Sequence, residues 1–293
     1  MVCVIFYGCE TVVELDLDSG SPKPVLNGII NPDSTLSVHI SQSKYILDKG
    51  PFEIIRGATV DVYENDRWLG ELLFDSSTLF YTHEDLKPKR GMRYSIEVAK
   101  EGYENVIAET TIPVALASIS EASVDSVLTE GLKRFRFHVT IEDLPGENYY
   151  EFVLYAYLKI LEYDRETQVS TQIDSILVQF SFYTEDLRAE DFQTSIMTSY
   201  VLSDNLFSGK TYTISFHDSR ATLSGNLAHD YSTFIFALRH VSKDYYLYRR
   251  SQALQFWVED NPFAEPVPVH TNIRNGLGIF AGYNQSTRIV RIK

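Results

Sequence analysis

RFRFHVTIE, residues 134–142, decides the fold class: Phe135, Phe137, Val139 and Ile141 alternate with Arg134, Arg136, His138 and Thr140. Side chains of an extended chain point to opposite faces with a period of two, so this stretch is a strand with one face on a core and the other in water. The same period runs through FVLYAYLKI (152–160), where Phe152, Leu154, Ala156, Leu158 and Ile160 share a face. The other face carries Val153, Tyr155, Tyr157 and Lys159. It is unusually aromatic, so either another element covers it or it is a stacking platform for a sugar or peptide. ILVQFSFY (176–183), TYTISF (211–216) and FIFALR (234–239) extend the pattern into a sheet or open barrel.

Upstream the runs are shorter. PVLNGII (24–30), LSVHI (36–40), TVDVYE (59–64), ELLF (71–74), YSIEVA (94–99) and VIAETTI (106–112) are separated by turn residues that include Asn65-Asp66, Gly91 and Gly102. That spacing predicts an immunoglobulin-like or fibronectin-like β-sandwich over residues 23–115. Pro113 ends the last strand, and the small-residue stretch VALASISEAS (114–123) leads into a larger C-terminal antiparallel β domain, residues 116–293. This domain carries one or two helices. The convincing one has Ser242 as N-cap, Asp244 in its first turn, and Tyr246, Arg250, Ala253 and Trp257 on one stripe. The chain therefore reads as mainly β, in two domains.

Lys and Arg total 26 against 40 Asp and Glu, a net charge of −14 that repels phosphate backbones and anionic membrane surfaces, so nucleic acid is not an expected partner. Cys3 and Cys9 are the two cysteines, so the folded body has no thiol for a disulfide, a nucleophile or zinc. No G-x-S-x-G, H-E-x-x-H or P-loop motif is present. Gly276-x-Gly278-x-x-Ala281 mimics a dinucleotide fingerprint but no helix follows it. His217-Asp218 and His229-Asp230 are read as surface turn residues rather than a metal or general-base site. Glu185-Asp186 and Glu190-Asp191 flank a short polar segment without an aromatic subsite, a poor setting for glycosidase carboxylates. The expectation is no catalytic residue, no metal and no cofactor.

Met1–Gly8, MVCVIFYG, is far shorter than the roughly 20 residues that span a bilayer, and reads as the remnant of a lipoprotein signal peptide without its positive n-region. Phe6-Tyr7-Gly8-Cys9 follows the pattern of a bacterial lipobox, in which a small residue precedes the cysteine whose thiol takes a diacylglyceryl group. Cys9 is thus the expected lipidation site, and residues 9–22 the tether, most of it the polar run ETVVELDLDSGS (10–21). Asp33-Ser34-Thr35, Asp125-Ser126-Val127 and Asp174-Ser175-Ile176 fit a short pattern for O-glycosylation of exported proteins, nominating Ser34, Ser126 and Ser175.

NPFAEPVPVHTNIRNGLGIFAGY (261–283), together with SKDYYLYRRS (242–251) and SDNLFSGKTYTISF (203–216), resembles the domain-of-unknown-function 4249 family. The similarity extends to Cys9-Glu10, Gly91-Met92-Arg93-Tyr94, Thr111-Ile112-Pro113 and Asn272-Ile273, and its end motif is marked by Phe263, Pro266, Asn272, Gly276, Gly278 and Phe280. The resemblance implies an outer-membrane lipoprotein of the Bacteroidota cell envelope, held to the membrane by an N-terminal lipid and partnered with a TonB-dependent receptor, with no defining enzymatic activity. Read from its residues alone, the end motif is a turn feeding a last strand: Asn272, Asn275, Gly276 and Gly278 accept positive φ, and Ile279 and Phe280 pack. The expected function is a non-catalytic binding or accessory subunit. The alternatives are an envelope hydrolase of glycan or peptide and a surface adhesion module working through residues 24–113.

Overall fold

The computed structural model describes residues 21–45, 48, 50–129, 132–164, 166–186, 190–193, 198–219, 231–259, 264–265 and 267–292. Cys9, Phe263, Pro266 and the His229-Asp230 pair lie outside them. The architecture is mainly β, with sheets packed in sandwiches and no barrel.

The first half supplies eight strands: β1 (Pro24–Ile30), β2 (Ser37–Gln42), β3 (Thr59–Glu64), β4 (Arg67–Glu71), β5 (Leu73–Asp75), β6 (Phe80–Thr82), β7 (Arg93–Ala99) and β8 (Val106–Thr111). The second half supplies β9 (Ser118–Thr129), β10 (Leu132–Glu142), β11 (Tyr149–Asp164), β12 (Val169–Gln179), β13 (Phe182–Tyr183), β14 (Glu190–Gln193), β15 (Thr198–Ser203), β16 (Thr211–Asp218) and β17 (Tyr231–Val241). Among the described residues it continues with one helix, α1 (Lys243–Glu259), and ends on β18 (Ile273–Arg274) and β19 (Leu277–Arg291).

In the first sandwich β8, β7, β3 and β4 form one sheet, extended by β18, and β1, β2, β6 and β5 lie in the other. Alternation buries Val60, Val62, Tyr94, Ile96, Val98, Val106 and Ala108 against Leu26, Val38, Ile40 and Tyr81 from the opposing sheet. In the second sandwich the sheet β13-β16-β10-β9 faces β15-β11-β17. Phe135, Phe137, Val139 and Ile141 point into this core as their alternation requires, and meet Phe152, Leu154 and Ala156 of β11 and Phe234, Phe236 and Leu238 of β17. Phe135, Phe137, Phe180 and Phe234 meet mostly edge to face at centroid distances of 5.0 to 6.3 Å, the arrangement that ring quadrupoles favour.

The two sandwiches share a strand. Residues 277–282 of β19 pair in parallel with β1, from Val25↔Leu277 to Ile30↔Gly282, and residues 283–291 pair antiparallel with β17. The boundary at residue 115 marks where the chain leaves the first core, but residues 273–282 return to it: Ile273 and fully buried Phe280 belong to that core, and β18 pairs with β8. Asn272 fixes the return. Its Nδ2 donates to Phe280 O (2.7 Å) and Glu109 O (3.0 Å), while its Oδ1 accepts from Phe280 N (3.0 Å), so one side chain imitates a strand neighbour. Gly278 allows the parallel contact: its φ is +98°, and a Cβ there would sit 2.2 Å from the Leu26 carbonyl oxygen.

The connection between the cores is clamped as well. Asn284, fully buried, donates to Pro113 O (2.6 Å) and Ala115 O (2.8 Å), and Ser286 Oγ donates to Ala117 O (2.7 Å). His240, paired with Asn284 across the ladder, meets Ala115 O through Nδ1 at 2.9 Å. A carbonyl can only accept, so Nδ1 carries the proton, and burial pulls the imidazole below its ordinary value and keeps the ring neutral.

Three local expectations need correction. Ser118–Thr129 is a strand, β9, not part of a linker; its alternation was hidden by small and polar residues on both faces. ILVQFSFY is not one strand: the chain leaves β12 at Gln179, crosses to the opposing sheet and resumes as β13, with Phe180 and Phe182 both buried. The buried stripe of α1 is Tyr245, Tyr246, Arg249 and Ala253, whereas Arg250 is exposed.

Gly278→Ala should cost about 3 kcal/mol or more in urea unfolding, because positive φ adds to the clash with Leu26. Gly102→Ala, also at positive φ but in open space, should cost roughly 1 kcal/mol. Equal losses would show that the approach of β1 to β19 contributes nothing.

Candidate functional site

The outer face of β11 carries a buried cluster of charge. Tyr149, Glu151, Val153, Tyr155 and Tyr157 alternate away from the aromatic core, and α1 packs across the first part of this face, where Tyr149 is buried with Val201, Val241, Tyr245 and Tyr246. The helix starts where Ser242 Oγ accepts from Tyr245 N (3.4 Å), the N-cap the sequence announced, with Asp244 in the first turn.

Under α1 lies Glu151, 1% exposed. Its Oε2 accepts from Arg239 Nη1 (2.8 Å) and Tyr245 O–H (2.7 Å); its Oε1 accepts from Ser199 Oγ (2.8 Å) and lies 3.2 Å from Arg249 Nη2. Register explains the convergence: Glu151 and Arg239 are direct cross-strand partners, Ser199 sits one strand over on β15, and Tyr245 and Arg249 are four apart on the helix face that looks down on them. Arg239 reaches further, donating from Nε to Gln285 Oε1 (3.0 Å) and from Nη2 to Tyr155 Oη (3.3 Å), and its guanidinium lies 4.8 Å from the Tyr283 ring centre.

Burial alone would push the Glu151 carboxyl up, but the Arg239 and Arg249 guanidiniums and the Tyr245 hydroxyl overcome it and hold the group below the usual carboxylate range. Burial lowers and the facing Glu151 raises Arg239, with the net shift upward. Tyr245 is pushed up by burial and by the same carboxylate. A carboxylate this fully bonded has no lone pair directed at open space, so the cluster fastens α1 to three strands rather than offering a base. Sequence alternation flagged the aromatic face but not Glu151, which precedes the apolar run. The signal that could have found it is an acid between Tyr150 and Phe152, at a position no lone charge can occupy when buried.

The remaining sequence-nominated groups do not converge. His217 and Asp218 are consecutive on β16 and so face opposite ways: His217 stacks on Tyr183 (5.2 Å), while Asp218 turns inward to accept from Phe135 N (3.4 Å). The side chains of Glu190 and Asp191 lie outside the described set; Glu185 is exposed, and Asp186 N donates to Thr184 Oγ1. Ser34, Ser126 and Ser175 are all exposed, Ser34 in a turn where its Oγ accepts from Asn31 Nδ2 (2.9 Å) and the other two on strands. Asn272, Gly276, Gly278 and Phe280 serve the join between β19 and the first sandwich. A Cβ at Gly276 would lie 2.9 Å from Pro24 O. A cleft of about 240 Å³ at one end of the first sandwich is lined by Glu64, His83, Asp85, Lys87 and Lys89. Its Glu64 is already taken by Tyr94 O–H (2.5 Å) and Lys89 Nζ (3.5 Å). No group of three or more metal-ligating side chains occurs among the described residues, and no described helix is long and apolar enough to cross a membrane.

Glu151→Gln should destabilise the protein by roughly 3–5 kcal/mol, because two guanidiniums lose their counter-charge in a dry site. The depressed folded-state value means that Glu151 stabilises fully above the ordinary carboxylate range and that this contribution is lost as pH falls through the folded-state value. Urea titrations across pH 3 to 7 should therefore show a flatter acid limb in the variant than in the wild type. Parallel limbs would refute the assignment.

The family model described as "Domain of unknown function (DUF4249)" matches residues 10–289. No curated protein matches the chain, and no solved structure does. The matched segment ends near the close of β19 and so takes in both sandwiches, most of the shared strand and the helix over Glu151. The chain belongs to the DUF4249 family.

Proposed function

We propose that this chain is a non-catalytic, lipid-anchored protein of the bacterial cell envelope, acting at the outer membrane as a binding or accessory subunit of a TonB-dependent receptor. The observation that carries the reading is the thiol of Cys9, which closes an apolar run, follows a glycine and opens a polar tether, in a chain whose body holds no other cysteine. The tether meets the fold at Lys23, where Lys23 N donates to Ser43 Oγ (2.9 Å) and Ser43 N donates to Lys23 O (2.8 Å). That point is at the start of β1, the opposite end of the strand from the clamped linker, so an anchor there holds the second sandwich away from the bilayer. The net charge of −14 keeps such a body dispersed over an anionic surface. The saturation of Glu151 and the opposed directions of His217 and Asp218 support a non-catalytic role.

A second reading, adhesion, draws on the outer face of the first sandwich, where Leu73 is 68% and Phe80 38% exposed and the His39 ring meets Phe80 edge-on at 5.5 Å. Deleting residues 24–113 is not a usable test, because Phe280 and β19 would lose their sheet. Leu73→Ser with Phe80→Ser leaves the core intact.

Membrane fractionation of cells expressing the full chain or Cys9→Ser is the direct test. The wild type should sediment with membranes and carry an acylated N-terminus by mass spectrometry, and Cys9→Ser should appear in the soluble fraction. Unchanged partitioning would sink the anchor. Affinity capture of the lipidated chain from solubilised membranes should bring down a β-barrel receptor; repeated recovery of the chain alone would count against that partner.

A further inference from the structure

The polar side chains that alternation turns away from the aromatic core of the second sandwich meet on the outer face of the sheet β13-β16-β10-β9. Register sets them in rows. Tyr183, His217, Arg136 and Asp125 are successive cross-strand partners on β13, β16, β10 and β9; Ser215, His138 and Ser123 form the next row, and Thr213, Thr140 and Glu121 the one after. The Tyr183 and His217 rings lie 26° from parallel with centres 5.2 Å apart, close to the strand spacing of about 4.8 Å, so they rise side by side from the sheet. One face of the phenol rests on the imidazole, yet Tyr183 stays 41% exposed.

The contacts within this face leave one strong group over. His138 leans between the rows, with Nδ1 2.9 Å from Ser215 Oγ and Nε2 3.7 Å from Asp125 Oδ2. The Thr140 and Thr213 hydroxyls meet at 2.9 Å. Asp125 thus turns to His138, and Arg136, its direct cross-strand partner, is exposed with no carboxylate in ion-pair range among the described residues.

The mixture of groups selects the ligand. A guanidinium offers donors alone, a carboxylate acceptors alone, and imidazole and hydroxyl groups either. An anion would meet Arg136 but be opposed by Asp125, Glu121 and the net charge of −14, and a cation would meet Asp125 but be opposed by Arg136. A neutral polyol gives and takes a hydrogen bond at every hydroxyl, suits both neighbours, and is not repelled by the charge of the body. The electron-rich face of an aromatic ring adds a contact for the C–H groups of a sugar ring.

We propose that this sheet face, centred on Tyr183, His217, Arg136 and Asp125, binds a neutral oligosaccharide lying across the strands. Arg136 donates to sugar oxygens, Asp125 accepts from hydroxyls, and Tyr183 packs against a ring at the β13 end. Three strand spacings make the row about 14 Å long, enough for more than one sugar ring. A flat, open face buries little of its ligand, so the dissociation constant is of the order of 1 mM. The site needs neither the anchor nor the receptor.

The test is therefore run on the soluble full chain carrying Cys9→Ser, by saturation-transfer NMR and calorimetric titration with maltohexaose, cellohexaose, xylohexaose and mannohexaose, and with hexagalacturonate as the anionic comparison. At least one neutral hexasaccharide should bind, with an affinity unchanged by added salt. Tyr183→Ala and Arg136→Ala should each weaken it about ten-fold at an unchanged melting temperature, since both side chains are exposed. Asp125→Asn, which keeps an accepting oxygen, should stay within about two-fold. Tyr157→Ala, on the exposed face of β11, should change nothing. Silence from all four neutral sugars, preference for hexagalacturonate, or binding that is indifferent to Tyr183→Ala and Arg136→Ala or lost with Tyr157→Ala would overturn the proposal.

Discussion

β19 hydrogen-bonds in parallel to the first described strand and antiparallel to β17, so neither sandwich is complete without residues from the end of the sequence. Loss of β19 would take Phe280 out of one core, uncover Ile273 beside it, and remove one of the two ladder partners of β17 in the other. A contact between Val25 and Leu277 spans almost the whole chain, and its closure entropy must be met before the first core is completed. The first sandwich therefore cannot finish folding during synthesis of the N-terminal half. The two sandwiches behave as a coupled unit in spite of their separate cores, unlike domains joined only by a linker.

Polar side chains make the joints that apolar packing cannot. Asn272 imitates a strand beside Phe280, Asn284 and His240 hold the carbonyls of residues 113 and 115, and Glu151 gathers Arg239, Arg249, Tyr245 and Ser199 beneath the helix. The first two joints use neutral hydrogen bonds, each worth about 1 kcal/mol, and fix geometry more than they add stability. The Glu151 joint is different in kind. Its charges are costly to bury, a well-packed apolar substitute could be as stable, and what the ion cluster adds is a specific seat for α1 on a sheet face that would otherwise accept an apolar helix in several rotations.

Legibility followed sequence distance. The alternation of Phe135, Phe137, Val139 and Ile141 gave the class and the buried face of β10, and the Ser242 cap gave the start of α1, because both are properties of a few adjacent residues. β9 escaped because Ser118, Ser120, Ala122 and Ser123 carry little hydrophobic contrast. The return of residues 273–282 to the first core escaped because parallel pairing with β1 has no local signature; the glycines of the end motif suggested a turn, when the demand on Gly278 comes from a carbonyl about 250 residues away in sequence. Glu151 escaped because its partners lie on β15, β17 and α1. A buried cluster assembled from four elements has no spacing to read.

The same shared strand sets the distance between the two ends of the molecule that face outward. Lys23, just before β1, lies beside the start of β19, and the β11–β12 hairpin extends beyond its end, past the row where Tyr157, Thr233 and Arg291 align. Fifteen residues of strand span roughly 50 Å. A chain held by Cys9 would hold this hairpin about that far from its point of attachment. Both ends depend on β19, whose parallel half fixes the first sandwich at the Lys23 end and whose antiparallel half, through β17, aims the β11–β12 hairpin.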